Sequence, residues 1–199
     1  MKIGLFGGTF DPIHNGHLHL AQEVLLQQKL DRILFIPAGD PWMKSDTHIS
    51  DSQIRKHMID LSIDNNPNFF SSDIELNRHG PTYTSDTIEE MVEGNINEDQ
   101  FFVILGSDAI KTLPLWKKPK RILELAKIIL ADRNCEVSPL LMNDLSRICD
   151  IAERIIFLQS KMLDISSSEI RTKVLHGRSI EGLVPNKVHE FILDSKIYN

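Results

Sequence analysis

Two histidines three residues apart, His14 and His17, follow a glycine pair in the opening segment Met1-Lys-Ile-Gly-Leu-Phe-Gly-Gly-Thr-Phe-Asp-Pro-Ile-His-Asn-Gly-His-Leu18. An imidazole can donate a hydrogen bond to a phosphate oxygen. A second cluster of the same kind lies near the other end, in Ile165-Ser-Ser-Ser-Glu-Ile-Arg171. Ser166 and Glu169 have capping-box spacing, so Ser167 and Ser168 fall in the first helical turn, where N–H groups are unpaired and the dipole is positive. Arg171 lies one turn on, and helical side chains lean back towards the N-terminus, so its guanidinium can reach the same anion. Lys44 closes a third candidate, Pro37-Ala-Gly-Asp-Pro-Trp-Met-Lys44. Each has a plainer reading alone: a βα unit with solvated histidines, a well-capped surface helix, a solvated lysine in a loop. The joint pattern Gly-Gly-Thr-Phe-Asp-Pro-x-His-x-Gly-His is far more specific than either half. With a second phosphate-type helix start at the far end of the chain, the functional reading is the better one.

These side chains need elements to hold them. Ile3–Phe6 reads as a short buried strand, and Gly7-Gly8 leaves the backbone free to turn and to approach a ligand. A helix follows from Gly16, with Leu18, Ala21 and Leu25 on one face and Asn15 as the expected N-cap. Arg32–Pro37 reads as a second buried strand. Ser50-Asp-Ser-Gln53 has the capping-box pattern for a helix with the stripe Ile54, Met58, Leu61. Further strands are expected at Phe69–Leu76, Phe101–Leu105, Lys127–Ala131 and Arg154–Leu158. Helices are expected from Thr84 or Ser85 through Met91, over Arg121–Ala126, over much of Leu140–Ala152, from Ser166, and from about Pro185. The alternation predicts an α/β fold, a doubly wound, mostly parallel open sheet with helices on both faces. It is expected to form a single domain over residues 1–199 with a small C-terminal helical part, roughly 160–199. Ligands of such sheets bind beyond the carboxyl ends of the strands, where strand order reverses. The Gly7 turn, the Pro37 loop, Gly106 and Arg133 all follow apolar strands and are expected along that one edge.

The 199 residues are 41% hydrophobic and 25% charged, with a formal net charge of −6. That balance argues against a non-specific nucleic-acid binder, which would be basic. It does not exclude an anionic small substrate, because a few local cations and helix ends can reverse the potential in a pocket. Cys135 and Cys149 lie far apart without C-x-x-C spacing, which fits packing residues in a reducing cytosol and disfavours a zinc site. The first apolar stretch is too short and glycine-rich for a signal peptide, and no run approaches a membrane span. The expectation is a cytoplasmic protein with no membrane or nucleic-acid partner. Without G-x-G-x-x-G in the first turn a dehydrogenase is disfavoured, and without G-x-x-x-x-G-K-[ST] so is a P-loop kinase.

The segment G-G-T-F-D-P-I-H-N-G-H-L resembles the H-x-G-H signature of the nucleotidyltransferase superfamily, specifically the bacterial nicotinate-nucleotide adenylyltransferases. I-S-S-S-E-I-R is similar to the family's I-S-S-T-x-I-R, and Ser168 keeps the hydroxyl of the threonine. The Pro37–Lys44 segment resembles P-x-x-x-P-P-H-K; its lysine carries over, whereas Trp42-Met43 replaces the Pro-His. Gly80-Pro-Thr-Tyr-Thr-Ser-Asp-Thr87 and Gly106–Trp116 look like G-P-S-Y-T-x-D-T and G-x-D-x-x-x-x-x-P-x-W. Lys117 stands where an aromatic often follows that tryptophan, and Asn134-Cys135 replaces the Pro-Gly that often follows Arg133. The resemblance covers nearly the whole chain, through Leu183-Val-Pro185 and Tyr198.

The resemblance implies a Rossmann-like nucleotidyltransferase fold and adenylyl transfer from ATP to nicotinate mononucleotide, giving deamido-NAD and pyrophosphate in NAD biosynthesis. It implies catalytic roles for His14, His17 and Arg171. ATP would contact Gly7, Gly8, Thr9, Phe10, His14, His17, Gly106, Asp108, Arg133 (near the adenine), Ser167, Ser168 and Arg171. The mononucleotide would contact Lys44 through its phosphate, Tyr83, Thr84 and Ser85 at the carboxylate end, the last two through their backbone, and Trp116 on the pyridine ring. For Trp116 core packing is the alternative. No protein-built metal site is implied; Mg2+ would be brought with ATP. The rival readings are a phosphopantetheine adenylyltransferase, a cytidylyltransferase, and a nucleotide-binding regulator without catalysis. Phosphopantetheine adenylyltransferases are shorter and lack the Pro81–Thr87 and Trp116 segments.

Overall fold

The computed structural model describes residues 1–40, 49–95, 99–132, 143, 146, 151–159 and 163–198. The predicted Lys44 and Arg133, both cysteines, and most of the predicted helix over Leu140–Ala152 lie outside these residues. Six strands form one parallel sheet: β1 (Lys2–Gly8), β2 (Arg32–Pro37), β3 (Phe69–Ser71), β4 (Gln100–Gly106), β5 (Ala126–Asp132) and β6 (Ile155–Gln159). Their order is β3-β2-β1-β4-β5-β6, so the chain winds outward from β1 on one side and returns to flank it with β4 on the other. The crevice between the carboxyl ends of β1 and β4 is the switch point of such a sheet.

Strand periodicity sorts the core into two layers. Phe102 and Ile104 of β4, with Ile129 and Ala131 of β5, face one cluster; Phe101, Val103 and Leu105, with Ile128 and Leu130, face the other. Because neighbouring residues point to opposite faces, a continuous apolar run here means burial on both. Helices α1 (Asn15–Gln27) and α2 (Ser52–Ile63) cover the first face. They are joined there by α7 (Ser167–Leu175) and α8 (Asn186–Ser195) through Ile170, Val174, Val188 and Ile192. Helices α3 (Thr84–Glu93), α4 (Ser107–Thr112) and α5 (Pro119–Leu125) cover the second through Ile88, Ile110, Ile122 and Leu123. A 3-10 turn, Leu113–Leu115, follows α4, and α6 (Ile151–Arg154) leads into β6. The doubly wound parallel architecture is therefore as expected.

Local details depart from the sequence reading. β3 is three residues long instead of reaching Leu76. Among the described residues it is an edge strand paired with β2, and the Ser72 hydroxyl accepts the Ile74 N–H at 3.4 Å, beginning a turn. Helix α2 is capped by Asp51, which accepts the Gln53 N–H at 2.8 Å, rather than by Ser50. The Ser50 N–H instead donates to the Asp11 carboxylate. The buried face of α2 is Arg55, Met58, Ile59 and Ile63, with Ile54 and Leu61 only flanking the core. Tyr83, and neither Thr84 nor Ser85, holds the N-cap position of α3.

Candidate active site

The loop from β1 to α1 turns at Phe10, whose φ of 51° lies in the left-handed region; Gly7 and Gly8 belong to the extended strand. The expected glycine turn is thus corrected, and the glycine pair serves another purpose. A Cβ on Gly8 would meet the Phe10 ring at 3.0 to 3.1 Å. Phe10 folds back under the strand and packs edge-on against Phe6 and His17, with centroids 5.5 and 5.1 Å apart.

Helix α1 begins one residue earlier than expected. His14 is its N-cap, and Asn15 is drawn away to donate to the Gly182 carbonyl at 2.8 Å. The His14 backbone N–H donates to Nδ1 of His17 at 3.2 Å. An Nδ1 that accepts leaves the proton on Nε2, so neutral His17 is set as a donor at its outer nitrogen. The two imidazoles stack with centroids 3.6 Å apart and planes 22° from parallel. Gly16 makes room for this pair, since a Cβ there would lie 3.0 Å from Nδ1 of His14. His14 is 6% exposed, and burial pulls its pKa down to about 4, so it is neutral at physiological pH.

The second helix start comes from the far end of the chain. Ser166 caps α7, accepting the Glu169 N–H at 3.1 Å, as its spacing predicted. The Ser167 hydroxyl donates to the Pro12 carbonyl at 2.9 Å, and Nη1 of Arg171 donates to the Asp11 carbonyl at 2.7 Å. Nη2 of Arg171 donates to the Ser168 hydroxyl at 3.3 Å. The β1–α1 loop and the start of α7 are thereby fastened together. Gly7, Gly8, Thr9, Phe10, His14, His17, Ser167, Ser168 and Arg171 all line one cleft of ≈ 810 Å³ at the switch point.

The other wall of that cleft comes from the second face of the sheet. Gly106 ends β4 and lines the cleft, as do Tyr83, Thr84, Trp116 and Lys117. Asp108 falls within α4. The Ser85 side chain is buried, 1% exposed, and its hydroxyl donates to Asp86 at 3.2 Å, while the contact expected of this residue is a backbone one. Trp116 is half-buried against the second core cluster and also lines the cleft. Its Nε1–H donates to the Thr112 hydroxyl at 3.0 Å. The ammonium of Lys117 sits 4.5 Å from the centroid of the Tyr83 ring and 2.8 Å from the Asp86 carboxylate. That pairing helps hold the Asp86 carboxyl below its usual range.

Comparison with known proteins places this geometry in a family. The profile of cytidylyltransferase-like proteins matches residues 5–173. A probable nicotinate-nucleotide adenylyltransferase of Dehalococcoides mccartyi strain CBDB1 is 38% identical over 198 residues, covering 100% of this chain and 97% of that one. One from Clostridium tetani is also 38% identical, over 99% of this chain and 98% of its own. The chain belongs to the nicotinate-nucleotide adenylyltransferase family. Among solved structures, the Plasmodium falciparum nicotinic acid mononucleotide adenylyltransferase complexed with NaAD superposes with a TM-score of 0.81 at 20% identity, over 99% of this chain and 97% of that one. That likeness is one of fold.

In this member of the adenylyltransferase family several cleft-supporting residues escaped the sequence reading. Arg55 is 1% exposed and donates to three main-chain carbonyls, Ser50 at 2.9 Å, Thr9 at 2.8 Å and Ala38 at 2.7 Å. Its signal was available: it occupies a core position of the α2 stripe, three and four residues before Met58 and Ile59. Glu75 is buried at the cleft wall, accepts from the Thr87 hydroxyl at 2.8 Å, and has its pKa raised by burial. Asp11 and Tyr198 meet across the chain at 2.6 Å, a contact no local pattern announces.

Proposed function

We propose that this cleft transfers the adenylyl group of ATP to nicotinate mononucleotide, forming deamido-NAD and releasing pyrophosphate. The observation that carries the reading is the meeting of the His14–His17 pair with Ser167, Ser168 and Arg171 in one cleft, in a chain alignable end to end with its adenylyltransferase relatives. A phosphate oxygen of the mononucleotide attacks the α-phosphorus of ATP. A bond from that oxygen to the α-phosphorus forms as the one to the bridging β-phosphate oxygen breaks, and the electron pair leaves with pyrophosphate. The attacking oxygen is anionic at neutral pH, so no general base and no protein nucleophile are required. The enzyme's work is alignment and stabilisation of charge building on the phosphates.

In this reading the His14 and His17 imidazoles donate to the ATP phosphates, with His17 closest to the transferring group. Ser167, Ser168 and Arg171 hold the β- and γ-phosphates. The glycines of β1, with Gly106, Asp108 and Arg133, serve the nucleotide, while Lys44 meets the mononucleotide phosphate. Trp116 stacks on the pyridine ring, and the α3 start receives the carboxylate. A divalent ion, Mg2+ in our reading, would arrive with ATP and would supply charge neutralisation on the phosphates. The donor set suits that arrangement: the loop and α7 present N–H and O–H groups, and the Asp11 carboxylate is taken up by Tyr198 and Ser50. With the first and last thirds of the chain building one cleft, we read residues 1–199 as one catalytic domain. No helix among the described residues is long and apolar enough to cross a membrane, and we place the reaction in the cytoplasm.

Side-by-side turnover of nicotinate and nicotinamide mononucleotides with ATP, followed by pyrophosphate release, tests this. The acid form is expected to be used with clearly higher kcat/KM. Equal efficiency would overturn the substrate assignment, and no pyrophosphate with either would favour the regulator.

A further inference from the structure

Asp11 is 3% exposed and has no part in the chemistry above, yet three separate elements converge on it. Its Oδ1 accepts from the Tyr198 hydroxyl at 2.6 Å, and its Oδ2 accepts from the Ser50 N–H at 3.1 Å. Its carbonyl is the seat of Arg171 Nη1, and the next carbonyl along, that of Pro12, is the seat of the Ser167 hydroxyl. Side chain and main chain of one residue therefore link the segment after α8 to the groups assigned to the triphosphate. We propose that Tyr198 is a positioning residue for ATP: its hydroxyl clamps the Asp11 carboxylate, and the Asp11–Pro12 carbonyls then fix Arg171 and Ser167 opposite His14 and His17. This inference rests on the assignment of Arg171 to the ATP phosphates.

The chemistry of the contact supports a clamp rather than incidental packing. Burial, then the neighbouring Asp11 carboxylate, push the Tyr198 phenol well above its usual pKa, so it stays a donor throughout the working pH range. Arg55 adds a favourable positive charge near Asp11 but spends its hydrogen bonds on the Thr9, Ala38 and Ser50 carbonyls. Among the described residues, the buried carboxylate accepts hydrogen bonds from the Tyr198 hydroxyl and the Ser50 N–H. Loss of a donor to a buried charged acceptor is costly, and a shift of the loop backbone that relieved it would carry the Asp11 and Pro12 carbonyls, and with them the seats of Arg171 and Ser167. Displacements of about 1 Å in positioning groups can cost about a hundredfold in rate.

The location also predicts which substrate feels the loss. Tyr198 packs against the first core cluster, with α1, α2, α7 and α8, whereas Trp116 belongs to the second, across the sheet. Disturbing the clamp should weaken ATP and spare the mononucleotide. The test is Tyr198→Phe, which keeps the ring and removes only the hydroxyl. Three readouts are needed: KM for each substrate, affinity for a non-hydrolysable ATP analogue by calorimetry, and Tm. We expect analogue affinity to fall by about tenfold and KM for ATP to rise by about the same factor. KM for the mononucleotide should stay within about twofold. Wild-type ATP parameters in Tyr198→Phe overturn the clamp, whatever the Tm does. Equal losses for both substrates also overturn it, because they mark a general loosening. If wild-type protein binds the analogue but releases no pyrophosphate, the reaction assignment fails on its own, and the analogue titration still decides the clamp.

Discussion

The orientation of His17 rests on a main-chain bond. The N–H of His14 occupies Nδ1, fixing the proton on Nε2, and the stacked His14 ring and the edge of Phe10 leave the imidazole little freedom to rotate. A donor so aimed costs no reorganisation when charge builds on a phosphate. His17→Ala should lower kcat by ~10²–10³ with the fold intact, as circular dichroism and pyrophosphate release will show. A well-folded variant of undiminished activity would remove His17 from the mechanism. At this scale the sequence pointed to candidate residues but not to how they are held. Asn15 has the better cap chemistry, yet a distant carbonyl at Gly182 claims its side chain and the cap falls to His14.

Helix α2 shows how an element can be recognised while its orientation is missed. The apolar residues Ile54, Met58 and Leu61 suggest one face, but the buried face is turned so that Arg55 points inward. The reason is that the carbonyls of Thr9, Ala38 and Ser50 converge there, and Arg55 donates to all three. An unpaired buried carbonyl costs about 1–3 kcal/mol. Arg55→Met fills similar volume without a donor and should destabilise the protein by about 3 kcal/mol or more. With about 2–4 °C per kcal/mol for a chain of this size, Tm should drop by roughly 6–12 °C. A shift below about 2 °C would mean that the carbonyls find other partners cheaply.

At the scale of the molecule, the buried imidazole couples stability to acid. The folded pKa of His14, about 4, lies below the ordinary value of 6.5. Above pH 6.5 both states hold His14 neutral and its contribution is complete. As pH falls from 6.5 towards 4 the unfolded chain takes up a proton that the folded chain refuses, so stability is lost across that window. The linkage amounts to about 2 kcal/mol by pH 5. Urea unfolding of the ligand-free protein at pH 7 and pH 5 should show this drop, and His14→Gln should reduce it by about that amount. Identical pH slopes in the two proteins would show that His14 is not kept neutral by the fold.

Periodicity and local chemistry determined the architecture and, to within a residue, the helix starts after His14 and Ser166. Apolar strands buried on both faces, amphipathic helices between them, and a serine cap with its acidic partner are all short-range properties, readable wherever the competing interactions are also short-range. What the tertiary structure alone decided is how distant groups share partners. Asp11 meets Tyr198 and Arg171, Asn15 meets Gly182, and the Ser85 side chain is buried while Trp116 both packs and faces the cleft. A buried polar group must be satisfied by whatever the fold brings within about 3 Å. For Asp11 and Asn15 that partner lies on another element, where no pattern along the chain can point to it.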